Sequence, residues 1–354
     1  MTTHLSSTVC VTGAAGFIAS HVVAELLARG HHVRGTARDP KGASCEHLRR
    51  LPGASERLEL VAAELLDAQR WPEIVAGCTR VIHMASPYVI DVKDPQRDLV
   101  DPAVKGTRVV LEAALAAGVE RVVLTSSMAA VTDEPDEPHV LTESDWNTKS
   151  SLERNPYYYS KTLAEREAWS IMTGHGRASS LSVINPYLVI GPSFSPALNP
   201  SNQLLADLLN GVYPGIMRLV WGFVDVRDVA IAHVEALQAP SAQGRYLCVA
   251  GTMSMREVVE LLQREGYGDH ALPKLGLDCS AGDFAVRLSS YVQPRGVGSY
   301  LRTHVGRVPR FDTSKIRNEL GLTFRPIADS IRDAVVDLAH HNHLKGAATA
   351  PVVV

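Results

Sequence analysis

Three phenols stand just ahead of an ammonium in the stretch Asn155-Pro-Tyr-Tyr-Tyr-Ser-Lys-Thr-Leu-Ala-Glu165. Residues four apart share one face of a helix, so Tyr157 can meet Lys161, whereas Tyr158 falls with Thr162 and Tyr159 with Leu163. A free tyrosine has a pKa of about 10, too high to exchange protons readily near neutrality. An ammonium one turn along favours the phenolate and lowers that value. Tyr157 and Lys161 therefore form a candidate acid pair, and Tyr158 and Tyr159 read as packing aromatics. Upstream, Leu124-Thr-Ser-Ser-Met-Ala-Ala130 closes a β-rich run with two hydroxyls, Ser126 and Ser127. Either can donate to an oxygen held nearby, and either can equally serve a turn or a cap.

An acid needs something to protonate, and the N-terminus suggests what. Thr12-Gly-Ala-Ala-Gly-Phe-Ile-Ala19 joins a compact apolar run to a helical pattern. Gly13 allows the tight turn, Gly16 lets the backbone approach a pyrophosphate, and Ala19 lets the helix pack closely on the strand. The helix start offers unpaired N–H groups and a positive dipole end. This is the pattern of a dinucleotide site, with G-x-x-G-x-x-A spacing. The next strand, His32-Val-Arg-Gly-Thr-Ala-Arg-Asp39, places Arg34 and Arg38 near the adenine ribose, with Lys41 close behind. Such a cationic fork matches a 2′-phosphate and favours NADP(H), with NAD(H) the alternative; Asp39 is a competing ion-pair partner for Arg38. An enzyme that delivers hydride to a carbonyl needs an acid poised to protonate the developing alkoxide. Tyr157 fits that role.

These groups need a scaffold, and the chain supplies an alternating one. Thr8–Thr12, His32–Thr36, Leu58–Ala62, Arg80–Met84, Arg121–Thr125 and Ser180–Asn185 read as strands. Gly16–Arg29, Asp67–Ala76, Val104–Ala117 and a helix from the tyrosines to about Ile171 lie between them. Alternation of this kind predicts an α/β fold with a doubly wound, Rossmann-type parallel sheet. The rhythm fails after Pro186. Gly191–Gly215 is crowded with Pro and Gly and Leu272–Arg310 is irregular, while Phe223–Leu237 and Gly244–Ala250 read as a helix and a strand that rejoin the sheet. We therefore expect a dinucleotide-binding domain over 1–188, rejoined by about 222–250, and a smaller interleaved C-terminal substrate lobe over 189–221 and 251–340.

Composition excludes other classes. Of 354 residues, 45% are apolar and 21% charged, and 35 basic against 38 acidic side chains leave a net charge of −3 without a single-sign run. That balance belongs to a globular protein and lacks the basic footprint of a nucleic-acid binder. Five scattered cysteines, none in a C-x-x-C pair, suit reduced thiols better than disulfides or zinc. No apolar signal core or membrane-length run is present, so a cytoplasmic location is expected. The acidic loop Asp133–His139 reads as a solvated connection.

Taken in order, TGAAGFIAS, HVRGTARDP, VIHMASP, LTSS and YYYSKTLAE resemble the extended short-chain dehydrogenase/reductases. The likeness is to the branch holding dihydroflavonol reductases, cinnamoyl-CoA reductases and microbial aldehyde/ketone reductases. NPYLVIGP, FVDVRDVAIAH, GRYLC and FDTSKIRNELGLTFRP extend it over nearly the whole chain. The resemblance implies NADPH as hydride donor and a Ser–Tyr–Lys group. Ser127 would polarise the carbonyl, Tyr157 would give the proton, and Lys161 would bind the nicotinamide ribose. It also implies that Gly13, Gly16, Phe17 and Ile18 line the diphosphate turn and that Arg38, with Lys41, grips the 2′-phosphate. Glu64 stands where the family has an aspartate near adenine, with Leu65 beside it. Ala85, Ser86 and Pro87 would lie against the cofactor, and Pro186, Leu188 and Val189 would flank the nicotinamide. Beyond Gly191 the chain departs from the family's pattern.

The expectation is therefore reversible, NADPH-dependent reduction of a bulky or aromatic ketone or aldehyde. A hydroxysteroid dehydrogenase would carry much the same signature. A nucleotide-sugar epimerase or dehydratase would carry a V-Y-G stretch where this chain has Met128-Ala-Ala-Val131. A non-catalytic dinucleotide sensor has no need of the Tyr157–Lys161 pair. Ser127, Met128, Tyr187, Phe194 and Trp221 are the expected pocket residues, with Trp146 a further aromatic candidate. His340, His341 and His343 lack supporting ligands and are read as solvated, so no metal is expected. His83 reads as a hydrogen-bonded core residue. A small-molecule substrate is the expected partner, on a monomer or a homodimer.

Overall fold

The computed structural model describes residues 8–86, 92–135 and 138–345. Seven parallel strands form its central sheet. In chain order they are β1 (Thr8–Val11), β2 (His32–Ala37), β3 (Leu58–Ala62), β4 (Arg80–His83), β5 (Arg121–Thr125), β6 (Leu181–Pro186) and, after strands that lie elsewhere, β9 (Gly244–Cys248). Across the sheet the order is β9-β6-β5-β4-β1-β2-β3. Val9, Cys10, Val11, Val81, Ile82, Val122, Val123, Val183 and Ile184 are all buried, as expected for parallel strands covered on both faces. On one face α1 (Phe17–Ala28) and α5 (Val226–Gln238) pack through Val22, Leu26, Val229 and Val234. On the other, α2 (Asp101–Ala116) and α3 (Pro156–Gly174) pack through Val110, Leu111, Ile171 and Met172. The chain leaves β1 toward β2 and β3, then returns to β4 on the opposite side of β1. The ends of β1 and β4 thus flank the switch-point crevice where such sheets bind ligands.

A smaller sheet joins β7 (Leu188–Ile190) in parallel to β8 (Val220–Asp225), which pairs antiparallel with β10 (Gly251–Ser254). It has its own core, in which Trp221 and Phe223 meet Leu205 and Leu209 of α4 (Pro200–Leu209) and Ile331 and Val335 of the helix Ile327–His340. The helix expected from Phe223 begins instead at Val226. Residues Val220–Asp225 are held as a strand between two neighbours, and the Asp225 carboxylate accepts the Arg227 N–H at 2.8 Å to start the helix. The expected helix over 67–76 shrinks to Trp71–Val75, whose indole N–H donates to the carbonyls of Glu64 and Leu65. All five cysteines are free thiols.

Candidate active site

The glycine-rich turn lies between β1 and α1. Gly13 adopts φ +66°, and a Cβ there would stand 3.2 Å from Cα of Ala85. Its N–H donates to the Thr36 hydroxyl at 3.0 Å and the next N–H to the Thr36 carbonyl at 2.8 Å, which fixes the turn against β2. Thr12 locks it to β4. Its hydroxyl accepts the N–H groups of Met84 and Ala85, each at 2.9 Å, so its own proton goes to Nδ1 of His83 at 2.9 Å. His83 is thereby a hydrogen-bonded core residue, its pKa brought down to about 3 by burial and by Lys161. Gly16 starts α1 with no side-chain cap, and no acidic residue occupies the first turn. The leading N–H groups are left for an anion, which is what a dinucleotide diphosphate requires.

Tyr157 and Lys161 do share a face of α3, with the ammonium 5.8 Å from the ring centroid. Lys161 is 9% exposed, and burial brings its pKa down to about 8. The two serines separate cleanly. Ser126 donates its hydroxyl to Glu165 at 2.5 Å, whereas Ser127 accepts the Ala129 N–H at 3.1 Å and keeps its own proton available. Tyr158 stands 5.8 Å from the His304 ring.

A cavity of about 710 Å³ brings these groups together. Gly13, Gly16, Phe17, Ile18 and Ser86 line one part of it; Ser127, Tyr157 and Lys161 another; Pro186, Leu188 and Val189 a third. Met128, Tyr187 and Trp221 also line it, although Met128 and Trp221 are almost wholly buried and serve the packing as well. Tyr158 faces it too, so only Tyr159 of the three tyrosines stays out of the lining among the described residues. Sequence reasoning missed Asp207 and Leu204 of α4, Tyr213, and Tyr300 of the helix Arg295–His304. Burial pushes the phenols of Tyr187 and Tyr300 well up. Burial and Asp207 push Tyr213 up to about 12.

Several expectations are corrected. Phe194 does not line the cavity; it stacks on His21 at 4.3 Å and is 43% exposed. Trp146 lies instead over the Arg245 guanidinium at 4.0 Å. Arg34 is no part of a phosphate fork, because it pairs with Glu59 at 2.7 Å and donates to the carbonyls of Ile74 and Ala76. It lies four residues before Arg38, roughly 13 Å back along the strand from the crevice. Asp39 caps the following turn through the N–H groups of Lys41 and Gly42. Arg38 and Lys41 are exposed, and among the described residues Arg38 makes no ion pair. Glu64 is exposed and Leu65 packs over Gly106, both outside the cavity lining, while Ala85 backs Gly13. Pro87 lies outside the described residues. The acidic loop is not simply solvated: Asp133 is buried against Arg154 at 2.6 Å, and Glu134 pairs with Arg154 and Arg307. Nε2–H of His343 donates to the Pro196 carbonyl at 2.9 Å, and no cluster of three metal-ligating side chains occurs among the described residues.

Beneath Ser127 lies a buried ion pair that no local pattern announces. Glu165, one helical turn beyond Lys161, meets Arg245 of β9 at 2.6 Å, with side-chain exposures of 0% and 5%. Asn185 of β6 donates both to Glu165 at 2.8 Å and to the Ser127 carbonyl at 3.1 Å. At the entrance to α3, Asn155 holds φ 48° and ψ 62° with its amide on Asp133 and, at 3.1 Å, on Thr303.

The chain is similar to several known proteins. The model of the "NAD dependent epimerase/dehydratase family" matches residues 9–249. Cinnamoyl-CoA reductase 2 of Arabidopsis thaliana is 38% identical over 340 residues, spanning 95% of this chain and 93% of its own. Tetraketide alpha-pyrone reductase 1 of the same plant is 34% identical over 346 residues, with 95% and 96% covered. Among solved structures, the yeast methylglyoxal/isovaleraldehyde reductase Gre2 complexed with NADPH superimposes with a TM-score of 0.78 at 28% identity, covering 95% of this chain and 100% of the other.

Proposed function

The chain belongs to the NAD-dependent epimerase/dehydratase family, and from that premise we propose that it is an NADPH-dependent reductase of bulky or aromatic ketones and aldehydes. The observation that carries this reading is that Tyr157 and Lys161 face the same cavity as the phosphate-binding turn. Residues 1–188 with the strand at 244–248 would hold the cofactor, and the lobe of 189–221 and 251–340 the substrate. Bound NADPH supplies the hydride. The uncapped start of α1 receives the diphosphate, and exposed Arg38 and Lys41 meet the 2′-phosphate. Ser127 donates its free hydroxyl proton to the carbonyl oxygen and Tyr157 gives its phenolic proton to the same oxygen as it becomes an alkoxide. The Lys161 ammonium favours the phenolate left behind and holds the nicotinamide ribose.

The rest of the cavity suits an uncharged apolar substrate. Lys161 and Asp207 are the only charged side chains among the described residues that line it. A sugar nucleotide would find no arginine there for its diphosphate, which favours carbonyl reduction over epimerisation. The test is NADPH oxidation, followed by its near-ultraviolet absorbance, over a panel of aryl ketones and aldehydes. On the best of these, Tyr157→Phe should lower kcat by roughly 10²- to 10⁴-fold, with NADPH binding by fluorescence titration unchanged. Full turnover by that variant would remove Tyr157 from its role.

A further inference from the structure

We infer that Glu165 is a positioning residue, which sets Ser127 against the substrate carbonyl through Ser126, Asn185 and Arg245. The inference rests on the reading of Ser127 as the carbonyl donor. Glu165 and Asn185 do not line the main cavity, yet they grip the serine peptide from both sides. One carboxylate oxygen accepts the Ser126 hydroxyl at 2.5 Å and the Asn185 amide at 2.8 Å; that same amide donates to the Ser127 carbonyl at 3.1 Å. The other oxygen accepts Nε of Arg245 at 2.6 Å and the Trp169 indole N–H at 3.4 Å. Arg245 carries the hold onward to the turn that follows the serine. It donates to the carbonyls of Ala130 at 3.3 Å, Glu143 at 3.0 Å and Asp145, under the ring of Trp146.

Stability alone does not account for such an arrangement. Two ions taken out of water cost about as much as their attraction returns, and apolar residues of similar volume would pack the site as well. What the network does supply is fixed geometry. The hydroxyl of Ser126, the amide of Asn185 and Nε of Arg245 all end on the Glu165 carboxylate, and the Asn185 amide and the Arg245 guanidinium also reach the carbonyls of Ser127 and Ala130. Glu165 also rides on the helix that carries Tyr157 and Lys161, four residues past the lysine. Both hydroxyls that meet the substrate oxygen are therefore referred to one rigid element. A displacement of about 1 Å in such a group is enough to cost on the order of 100-fold in rate.

The experiment compares Glu165→Gln and Asn185→Leu with the wild type on the best carbonyl of the panel. Glutamine presents an N–H₂ where a carboxylate oxygen accepted, and leucine removes both amide bonds at nearly constant volume while leaving the Glu165–Arg245 pair. Each variant should lower kcat by about 10- to 100-fold while KM for NADPH stays within about twofold and the pH dependence of kcat keeps its midpoints. A general loss of folding would instead lower the active fraction and leave the kcat of that fraction alone, so active sites are counted by NADPH titration. Wild-type kcat in a folded Asn185→Leu protein, or a matching loss of NADPH affinity, overturns the inference. If the wild type oxidises no NADPH with any carbonyl, the reductase reading itself fails and this one falls with it.

Discussion

Replacing Lys161 with methionine should make the cofactor-free protein more stable while it destroys activity. The ammonium is 9% exposed, and burial lowers its pKa from 10.5 to about 8. Each pH unit between those values corresponds to about 1.4 kcal/mol, so keeping the group charged costs the fold about 3 kcal/mol. Since the folded-state value is the lower one, the unfolded chain binds the extra proton between about pH 8 and about pH 10.5. The penalty is complete below about pH 8 and fades as the pH rises through that window. Methionine fills much the same volume without a charge, so urea unfolding at about pH 7 should show the variant ahead by up to about 3 kcal/mol. At about pH 10.5 the two proteins should converge. Saturating NADPH should narrow or reverse that difference, because a ligand stabilises the folded state it binds by mass action and the variant lacks the ammonium that holds the nicotinamide ribose. A methionine variant no more stable than wild type at about pH 7 would refute the argument that Lys161 is held charged at the fold's expense.

Asn155 makes a second case. Its left-handed backbone favours glycine, so Asn155→Gly should lose only the side-chain bonds to Asp133 and Thr303. Asn155→Ala should lose those and add roughly 1 kcal/mol of backbone strain; an alanine variant as stable as the glycine one in urea contradicts this. Acid sensitivity is a third. Burial lowers His83 and His304 to about 3 and His21 and His233 to about 4. The unfolded chain protonates these rings near their ordinary value of about 6.5, so their stabilising contribution is present above that pH and lost progressively toward about pH 4, each ring steepening the slope by up to about 1.4 kcal/mol per pH unit. NMR titration should find four imidazole resonances that stay still from about pH 7.5 down to about pH 5; fewer than four still resonances would count against burial as the cause.

The sequence exposed what is local and periodic. The strand, glycine turn and helix over 8–28 are contiguous, and the Tyr157–Lys161 face follows from helix geometry alone. Arg34 misled because its chemistry fits a phosphate, while its place on β2 is set by strand rise, which carries it away from the crevice. The strand Val220–Asp225 was absorbed into the following helical periodicity, although Asp225 just ahead of Val226 is a helix-start signal. Glu165 and Arg245 are 80 residues apart, and their partnership exists only because β9 returns to the sheet beside β6. The aromatic wall of the substrate lobe was equally hidden, since Tyr213 and Tyr300 sit in stretches with no regular pattern.

The position of β9 at the sheet edge has a consequence for synthesis of the chain. The glycine turn, Ser127 and the Tyr157–Lys161 pair are all synthesised by the time α3 is complete. Arg245 arrives 80 residues after Glu165, on the edge strand that pairs with β6. A nascent chain stopped before Gly244 would expose the buried flank of β6 and leave the Glu165 carboxylate without its cation. Synthesis therefore delivers Tyr157 and Lys161 well before the strand that carries the counter-ion of Glu165.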